Sequence, residues 1–385
     1  MNFLVTQTLY PGDLVLTVPL LQHLRAAYPD SGVSVLVRKG LEGLLESHPS
    51  VTSVLTFDRR KRFRRIVAQG GALRDLRFSH AIVLPGSVRT ALAVFLARVP
   101  CRIGSNMSSG VFLFSDRVRY PGEVRKTREG WWIAQLEGMW RMMGGRESFV
   151  TPLYTEVVAL DPGRSAIRRH LQLLEPLGIG IREDLMRPRL FPSNGDIQTV
   201  NELLAGVSQR TLVAIAPGSR WATKRWPIHS FVMLAAALAG MGFCPVFVGG
   251  EDDRGLATTI DTALASGSSL NVIGRLSLLQ TAELLRRCEV LVANDSAPLH
   301  LAAAMETRTL TILGPTVTGF GFVPTGERHG IVELVQRLPC RPCTPFGGER
   351  CPIGTHECMG RIGVEAVLEK ALLLLDRSPE HQGAP

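Results

Sequence analysis

A chain of 385 residues is too long for one ordinary hydrophobic core and is expected to form two domains of roughly 150 to 200 residues each. The composition is that of a globular protein, with 45% hydrophobic and 20% charged residues. Forty-three Lys and Arg residues against 34 Asp and Glu residues give a net charge of +9, which favours acidic partners: nucleic acid, an anionic membrane surface or phosphorylated substrates.

The sequence predicts a cytoplasmic protein without a membrane span. The first residues, MNFLVTQTLY, lack the basic region, the long apolar segment and the cleavage site of a secretory signal. The longest uncharged stretch, residues 231–250, is broken by Gly240, Gly242 and Pro245, which predicts a helix followed by a strand. Seven cysteines without an export signal do not suggest a disulfide framework, and three of them have apolar neighbours typical of a core: Cys101, Cys244 and Cys288.

Short β-branched runs alternate with amphipathic helical stretches along the first half of the chain. We predict strands at 2–6, 33–38, 51–57, 80–87 and 101–105, and helices at 12–28, 41–48 and 88–99. This succession is typical of a parallel, doubly wound sheet. A basic run at 58–65 and an irregular region at 105–130 interrupt the pattern, and a helical stretch follows at 131–143.

The same alternation starts again at Thr211. Strands are predicted at 211–216, 244–250, 271–274, 289–295 and 307–314, and helices at 228–240, 254–265, 278–288 and 297–305. A polar helix at 197–206 precedes this half, and an amphipathic helix at 362–376 ends it.

We therefore predict an α/β protein with two Rossmann-like domains. The N-terminal domain is assigned to residues 1–160, an interdomain linker region to 161–208 and the C-terminal domain to 209–360. The C-terminal domain carries a Cys-rich loop at 340–358, and the helix within 361–385 is expected to pack back towards the N-terminal domain.

The first candidate functional residue is Asp13. Gly12 permits a tight turn between the first strand and the first helix, and Asp13 follows at the start of that helix. A carboxylate at this place can cap the helix or, at the carboxyl end of the strand, serve as a general base. No G-x-G-x-x-G follows the strand, which argues against dinucleotide binding.

The second candidate is the loop PGSRWATKRWP at 217–227, directly after a buried strand. Lys224 offers a point charge and Arg225 a fork of donors, and Ser219 can join them in binding the oxygens of a diphosphate. The alternative is a surface loop whose Trp226 packs on the sheet. The Walker pattern is absent, which argues against a P-loop ATPase.

The third candidate is the segment VANDSAPLHLAAA, where a strand passes straight into a helix. A helix N-terminus favours an anion, and Asp295 can accept hydrogen bonds from sugar hydroxyls or simply cap the helix. His300, one turn into the helix, is expected to be structural.

Together, these motifs resemble those of glycosyltransferase family 9, the ADP-heptose:lipopolysaccharide heptosyltransferases, and particularly the heptosyltransferase II branch. The resemblance covers almost the whole chain, in the family's order and spacing. The segments that carry it are GDLVLTVPLLQHLRAAYP, LPGSVRTALAVFLARVPCRIG, APGSRWATKRWP, VGGEDD, VANDSAPLHLAAA and LPCRPCTPFGGERCPIGTHECM.

The resemblance implies a GT-B fold, in which two Rossmann-like, doubly wound domains face a central cleft. It also implies an inverting enzyme that needs no cofactor or metal for catalysis. The donor would be ADP-heptose, and the acceptor the Kdo-lipid A inner core of lipopolysaccharide. The enzyme would be cytoplasmic and peripheral at the inner membrane, with no nucleic-acid partner.

The resemblance also implies site residues. Asp13 matches the general base, Lys224 the lysine on the donor diphosphate and Asp295 the aspartate that holds the heptose hydroxyls. Ser296 and Ala297 match the backbone that contacts phosphate. Asp253 matches the ribose contact, and the main chain near Leu276 would bind adenine.

The basic run is assigned to the acceptor. In this family its cations can bind the phosphates and carboxylates of Kdo-lipid A, and the residues assigned to it are Arg59, Arg60, Lys61, Arg62 and Arg64. Ser87 and Arg89 are predicted as additional acceptor contacts.

Two features depart from the family pattern or remain open. Pro11 stands before Asp13, where the family has a small or aliphatic residue. Four cysteines form a C-x2-C-x7-C-x6-C pattern that can hold a structural zinc ion, with His356 nearby: Cys340, Cys343, Cys351 and Cys358.

Two other functions remain open at this point. One is a family 9 enzyme with another acceptor or another ADP-sugar donor. The other is a non-enzymatic protein that binds nucleic acid or a membrane surface through residues 59–65, although no recognised nucleic-acid module is present.

Overall fold

The computed structural model describes residues 1–57, 63–84, 88–106, 153–207, 209–344 and 346–376, and for 63–65 the backbone alone. The chain divides into two compact units, Met1–Pro188 and Arg189–Pro385. The region assigned to a linker is split between them. Its helix Ala166–Gln172 packs on the first helix of the N-terminal unit, and its helix Asn194–Leu204 packs on a helix of the C-terminal unit.

The N-terminal unit contains a parallel sheet of six strands in the order β3-β2-β1-β4-β5-β6. The strands are β1 Asn2–Gln7, β2 Gly32–Arg38, β3 Ser53–Phe57, β4 His80–Val83, β5 Cys101–Ser105 and β6 Glu156–Val158. The central strands are buried on both faces, which explains why they are almost continuously apolar.

Helices connect these strands and cover the sheet. They are Pro11–Ala27, Phe63–Asp75, Val88–Leu96 and Ala166–Gln172. Phe63–Asp75 and Val88–Leu96 pack against each other, and their apolar residues form one core with β1, β2 and β4.

The C-terminal unit repeats this topology. Its six parallel strands have the order β12-β11-β10-β7-β8-β9, which is the same order counted from the first strand of the unit. They are β7 Leu212–Ala216, β8 Cys244–Phe247, β9 Leu270–Asn271, β10 Val290–Asn294, β11 Arg308–Leu313 and β12 His329–Glu333. The predicted α/β fold with two doubly wound parallel sheets is thus confirmed.

The helices of the C-terminal unit are Asn194–Leu204, Ile228–Gly240, Arg254–Ala263, Leu278–Arg286, Ala297–Ala304, Glu357–Gly360 and Val364–Asp376. The last of these was expected to pack towards the N-terminal domain. Its apolar face is buried in the core of its own unit, through Val367, Ala371, Leu374 and Leu375.

Several elements differ from the sequence prediction. The stretch 41–48 forms only a short 3-10 helix at Glu42–Leu44. The helix Phe63–Asp75 and the strands β6 and β12 were not predicted. The predicted helix at 131–143 lies outside the described residues.

The apolar stretch at 231–250 is divided as predicted, between the helix Ile228–Gly240 and strand β8. In the described part of the chain, no helix is long and apolar enough to cross a membrane. All seven cysteines are free thiols; Cys244 and Cys288 are buried as expected, whereas Cys101 is half-buried.

Candidate active site

The strand order determines where each unit can bind a ligand. In a doubly wound sheet the connections leave the two middle strands in opposite directions, and this opens a crevice at the carboxyl ends of those strands. The middle strands are β7 and β10 in the C-terminal unit and β1 and β4 in the N-terminal unit. The three candidate motifs follow β7, β10 and β1.

Lys224 and Asp295 meet at the crevice of the C-terminal unit. Lys224 follows β7 and Asp295 follows β10, and the Lys224 Nζ atom lies 2.6 Å from Asp295 Oδ2. Both side chains are about one-tenth exposed, so the ion pair is mostly buried but keeps some contact with solvent. Thr316, which follows β11, donates a hydrogen bond of 3.0 Å from Oγ1 to the same carboxylate oxygen.

Asn294 fixes the relative position of the two loops that carry this pair. It is fully buried at the end of β10. Its Oδ1 atom accepts a hydrogen bond from the Trp226 N–H at 3.0 Å, and its Nδ2 atom donates to the Pro217 carbonyl at 2.8 Å. Trp226 is itself buried and donates from Nε1 to the Ile362 carbonyl. Trp226 therefore packs in the core while its neighbours Lys224 and Arg225 stay at the crevice.

Arg225 and Ser219 close the loop after β7. The Arg225 Nε atom donates to the Ser219 carbonyl at 2.8 Å. Ser219 is buried, so this bond satisfies a carbonyl that would otherwise have little access to water. Arg225 and Ser219, two of the residues predicted to bind the diphosphate, are thus hydrogen-bonded to each other within one loop. The Nε atom of Arg225 stabilises that loop.

Asp253 lies in the short 3-10 turn Glu251–Asp253 after β8 and faces the same loop. A Cβ atom on Gly218 would be 2.3 Å from Asp253 Oδ1, which shows how closely the carboxylate approaches the Gly218 backbone. The Gly250 N–H donates to Asp253 Oδ2 at 3.0 Å. Burial raises the pKa of the Asp253 carboxyl above its ordinary value of 3.8, although the Gly250 N–H and Arg225 act in the opposite direction. Its neighbours Glu251 and Asp252 are exposed, whereas Asp253 is half-buried.

The helix Ala297–Ala304 begins at the crevice, with Ser296 as its N-cap residue. The N-terminus of a helix presents backbone N–H groups and a partial positive charge. His300, one turn further on, is buried; burial lowers its pKa from 6.5 to about 4, with Asp295 raising and Lys224 lowering it. The imidazole is therefore neutral at pH 7. It adds no charge to the neighbouring pair of Lys224 and Asp295.

Asp13 lies in the first turn of the helix Pro11–Ala27, at the crevice of the N-terminal unit. Its Oδ2 atom accepts a hydrogen bond of 3.2 Å from the N–H of Tyr10. Tyr10 is the N-cap residue, so Asp13 is not the N-cap itself but bonds back to it from the third position of the helix. Pro11 is the first residue of the helix, where its missing N–H would have no helical partner and its fixed φ suits a helix. The unexpected proline is thus compatible with the turn.

A buried hydrogen bond joins the two loops of this crevice. The hydroxyls of Thr8 and Thr90 lie 2.9 Å apart and connect the end of β1 with the helix Val88–Leu96. Arg89 is exposed in the first turn of that helix. The other predicted acceptor contacts cannot be placed: Arg59, Arg60, Lys61, Arg62 and Ser87 lie outside the described residues, and Arg64 is described by its backbone alone.

Leu276 lies between β9 and the helix Leu278–Arg286, directly before the N-cap residue Ser277. Its side chain is half-buried. Across the C-terminal unit, the predicted donor residues therefore follow β7, β8, β9 and β10 at one edge of the sheet. This edge presents two cations, two carboxylates and a helix N-terminus, an arrangement suited to a ligand with both phosphate groups and hydroxyls.

A comparison with known protein families agrees with this arrangement. Residues 138–346, more than half of the chain, match the model of "Glycosyltransferase family 9 (heptosyltransferase)". The chain belongs to glycosyltransferase family 9. The protein is therefore a glycosyltransferase, and the non-enzymatic alternative of nucleic-acid or membrane-surface binding is set aside.

Curated relatives of this family 9 glycosyltransferase match most of its length. Lipopolysaccharide heptosyltransferase 2 of Salmonella typhimurium is 26% identical over 348 residues, which cover 87% of this chain and 88% of that protein. Lipooligosaccharide heptosyltransferase 2 of Haemophilus influenzae is 24% identical over 392 residues, covering 97% and 99%.

Solved structures share the fold of this family 9 glycosyltransferase. The Escherichia coli ADP-heptose lipopolysaccharide heptosyltransferase II superposes with a TM-score of 0.73 at 24% identity and covers 97% of this chain and 98% of its own. A family 9 glycosyltransferase from Veillonella parvula superposes with a TM-score of 0.76 at 20% identity, covering 98% of both chains.

Three residues of this site in the glycosyltransferase were not predicted from sequence. Thr316 binds Asp295, Asn294 connects the loops and Thr223 anchors the turn that carries Lys224. Asn294 is within a motif that the sequence singled out, but it was not assigned a role. Thr223 also lies within such a motif, the loop at 217–227, whereas Thr316 lies outside the motifs. No local pattern predicts the role of either threonine, because the partners of both are distant in sequence.

The structure does not support the zinc site proposed for the four clustered cysteines. In the described part of the chain, no group of His, Cys, Asp and Glu side chains is arranged to hold a metal ion. The sulphur atoms have other neighbours: Cys343 Sγ donates to the Cys340 carbonyl at 3.0 Å, and Cys358 is buried in the hydrophobic core of the unit.

Proposed function

We propose that this enzyme transfers L-glycero-D-manno-heptose from ADP-heptose to the inner core of lipopolysaccharide, with inversion at the anomeric carbon. The heptosyltransferase 2 relatives, which match nearly the whole chain, support this donor and this acceptor. The single observation that carries the proposal is the pairing of Lys224 with Asp295, because it sets a phosphate-binding cation beside a hydroxyl-binding carboxylate.

In this proposal, the C-terminal unit binds the donor. Lys224, Arg225 and Ser219 bind the diphosphate together with the backbone of Ser296 and Ala297 at the helix start. An ammonium group has three donors, so Lys224 can keep its bond to Asp295 and still contact a phosphate oxygen. Asp295 holds the heptose hydroxyls through its remaining acceptor sites.

The nucleoside part of the donor is assigned to the other side of the same edge. Asp253 accepts from the ribose hydroxyls, and the main chain near Leu276 binds adenine. The close approach of the Asp253 carboxylate to Gly218 supports this assignment, because ribose and diphosphate are adjacent in ADP.

Asp13 is proposed as the general base. The acceptor hydroxyl attacks the anomeric carbon, the bond from that carbon to the diphosphate breaks, and the proton passes to the Asp13 carboxylate. ADP leaves with a charge that Lys224 and the helix amides stabilise. The reaction requires no second carboxylate and no metal.

The acceptor is assigned to the N-terminal unit. Arg59, Arg60, Lys61, Arg62 and Arg64, with Ser87 and Arg89, bind the phosphates and carboxylates of Kdo-lipid A. Because this acceptor is a membrane lipid, we place the enzyme in the cytoplasm with a peripheral contact to the inner membrane.

A transfer assay followed by mass spectrometry tests the proposal. The enzyme is offered ADP-heptose, UDP-glucose and GDP-mannose, each with Kdo-lipid A acceptors that carry no heptose or one heptose. Transfer from ADP-heptose to the one-heptose acceptor alone is expected. Transfer from another donor, or to another acceptor, would instead identify a different member of family 9.

A further inference from the structure

The Cys-rich loop, residues 340–358, surrounds the residue that precedes Lys224. The Thr223 N–H and hydroxyl donate to the Gly348 carbonyl at 3.1 and 3.0 Å, and the Gly348 N–H lies 2.8 Å from the same hydroxyl oxygen. His356 Nε2 lies 2.7 Å from the Thr223 carbonyl, a distance at which the ring N–H donates. The N–H, hydroxyl and carbonyl of Thr223 are thus all bonded to this one loop.

The same loop packs directly on the Lys224 side chain. Gly347 has a φ of +93°, a conformation that favours glycine. A Cβ atom at this position would lie 3.1 Å from both Cγ and Cε of Lys224 and 2.9 Å from the Cβ atom of Trp221. The bare backbone of Gly347 therefore forms one wall of the channel that holds the lysine stem.

The other end of the Cys-rich loop bonds to the turn after β11, which carries Thr316, a hydrogen-bond donor to Asp295. Arg341 donates from Nε to the Gly314 carbonyl at 2.5 Å and from Nη2 to the Thr316 carbonyl at 3.1 Å. The Cys343 N–H donates to the Pro315 carbonyl at 3.1 Å. These bonds fix the turn after β11, and Thr316 in that turn donates to Asp295.

We propose that the Cys-rich loop positions the Lys224–Asp295 pair, with Thr223, His356 and Arg341 as its positioning residues. Lys224 lies in the turn after β7, and Asp295 accepts a hydrogen bond from Thr316 in the turn after β11. The geometry of the pair therefore depends on how these two turns are held, in addition to the bonds of Asn294. One loop binds both turns, which ties the cation and the carboxylate to a common frame. This inference rests on the proposed role of the pair in donor binding.

The first test compares two buried threonines of the same unit. Thr223→Val removes the hydroxyl that faces Gly348. Thr307→Val is the matched control, because Thr307 is equally buried and donates to the Leu285 carbonyl at the opposite edge of the sheet, before β11. We expect Thr223→Val to weaken ADP binding by roughly three- to tenfold, as the loss of a hydrogen bond that orders a site predicts, whereas Thr307→Val leaves it unchanged.

Hydrogen exchange in the ligand-free enzyme provides a readout that does not depend on the donor. The amides of Lys224 and Arg225 bond to the Trp221 and Ala222 carbonyls in the turn after β7. The proposal predicts faster exchange at these two amides in Thr223→Val than in Thr307→Val. If wild-type enzyme fails to bind ADP, the proposed function is wrong, and the exchange rates still decide whether the loop orders the turn.

A second pair of variants separates positioning from general stability. His356→Leu removes the bond to the Thr223 carbonyl, whereas His356→Gln keeps an N–H donor of similar reach. We expect His356→Leu to raise the KM for the donor severalfold and His356→Gln to restore it. Equal donor KM values in these two variants, or ADP affinities and exchange rates in Thr223→Val that match Thr307→Val, would overturn the proposal.

Discussion

At the scale of single residues, the edge of the C-terminal sheet that we propose to bind the donor contains charged groups that are already paired in the ligand-free protein. Lys224 is nearly buried, yet its charge is balanced by Asp295 at 2.6 Å. An unpaired buried ammonium would be costly, and pairing removes most of that cost. The site can therefore keep a cation ready for phosphate in the ligand-free protein.

Replacing Lys224 tests this role. Lys224→Met keeps the length of the side chain and removes its charge, and it leaves Asp295 with its bond from Thr316. A charge-assisted hydrogen bond contributes about 1.5–3 kcal/mol, so the dissociation constant for ADP should rise by about 10- to 150-fold. Isothermal titration calorimetry measures this change.

Lys370→Met, on the exposed face of the helix Val364–Asp376, is the control and should bind ADP like wild type. An unchanged dissociation constant in Lys224→Met would exclude the assigned role.

Replacing Asp253 should have opposite effects on the thermal stability of the enzyme at pH 7 and on its affinity for ADP. The pKa of Asp253 is raised above 3.8 in the folded protein, so the folded state favours the protonated carboxyl. The stability that protonation contributes is lost as the pH rises through the folded-state pKa. Asp253→Asn cannot ionise but keeps an oxygen for the Gly250 N–H. We expect the variant to have a higher Tm than wild type at pH 7 and a similar Tm at pH 3.5, and to bind ADP about tenfold more weakly through the lost ribose contact.

Thermal unfolding at both pH values and calorimetric titration with ADP test this prediction. Asp252→Asn is the matched control, because Asp252 is the exposed neighbour on the same turn and should change neither quantity. A lower Tm of Asp253→Asn at pH 7 would show that the attraction of Arg225 outweighs the burial of the carboxylate.

At the scale of secondary-structure elements, the packing of two helices of the N-terminal unit against each other depends on one small residue. Gly70 in the helix Phe63–Asp75 faces the helix Val88–Leu96, and a Cβ atom there would lie 2.7 Å from the Leu96 Cβ and 3.1 Å from the Ala93 carbonyl oxygen. Neither neighbour is a flexible side-chain end. The two helices therefore approach more closely than any larger residue permits.

The adjacent glycine offers a direct comparison. Gly70→Ala should lower the free energy of unfolding by about 1–3 kcal/mol, because the added methyl group overpacks the helix contact. A Cβ atom on Gly71 would meet nothing within 4 Å, so Gly71→Ala should raise it by about 0.5–1 kcal/mol through better helix propensity. Urea unfolding measures both. Equal effects of the two substitutions would contradict the close contact.

Most elements could be predicted because buried parallel strands are continuous apolar runs and the helices between them are amphipathic. The helix Phe63–Asp75 was not predicted, because its beginning lies in a run of arginines. The charge of this run obscures the helical spacing of Ile66 and Leu73, which are buried. Strand β12 reads HGIVE and has too few apolar residues to predict a strand on its own. Its identity depends on pairing with β11.

For the candidate site, sequence could predict the positions but not the contacts. Lys224, Asp295 and Asp13 stand at the carboxyl ends of predicted strands, where α/β proteins bind ligands. That Lys224 bonds Asp295, and that Thr316 shares the bond, follows from β7, β10 and β11 being neighbours in the sheet. Strand order is a property of the folded chain and has no signature in any one segment.

At the scale of the whole molecule, the excess of positive charge is expected to act on the acceptor more than on the donor. The net charge is +9, and the five cations of the basic run that are assigned to the acceptor are equivalent to more than half of it. Replacing all five with Gln should raise the KM for a phosphorylated acceptor severalfold and make it less sensitive to salt, because exposed charges are screened at an ionic strength of about 0.15 M.

The donor serves as the internal control of this experiment. The donor site is assigned to the C-terminal unit, so the KM for ADP-heptose should stay within about twofold of the wild-type value and keep its own salt dependence. Steady-state kinetics at 50 and 300 mM salt measure both constants. An equal rise of the two KM values would remove the basic run from the acceptor site.

The two sheets have the same strand order, and each sheet is formed by its own unit. In each unit the loops that follow the first and fourth strands border the crevice, while the strands themselves supply the core. Substitutions in the loops after β1 and β4 leave the strand pairings of the C-terminal sheet intact. Evolution can therefore change the loops that border the crevice of one half while the strand pairings of the other half stay intact.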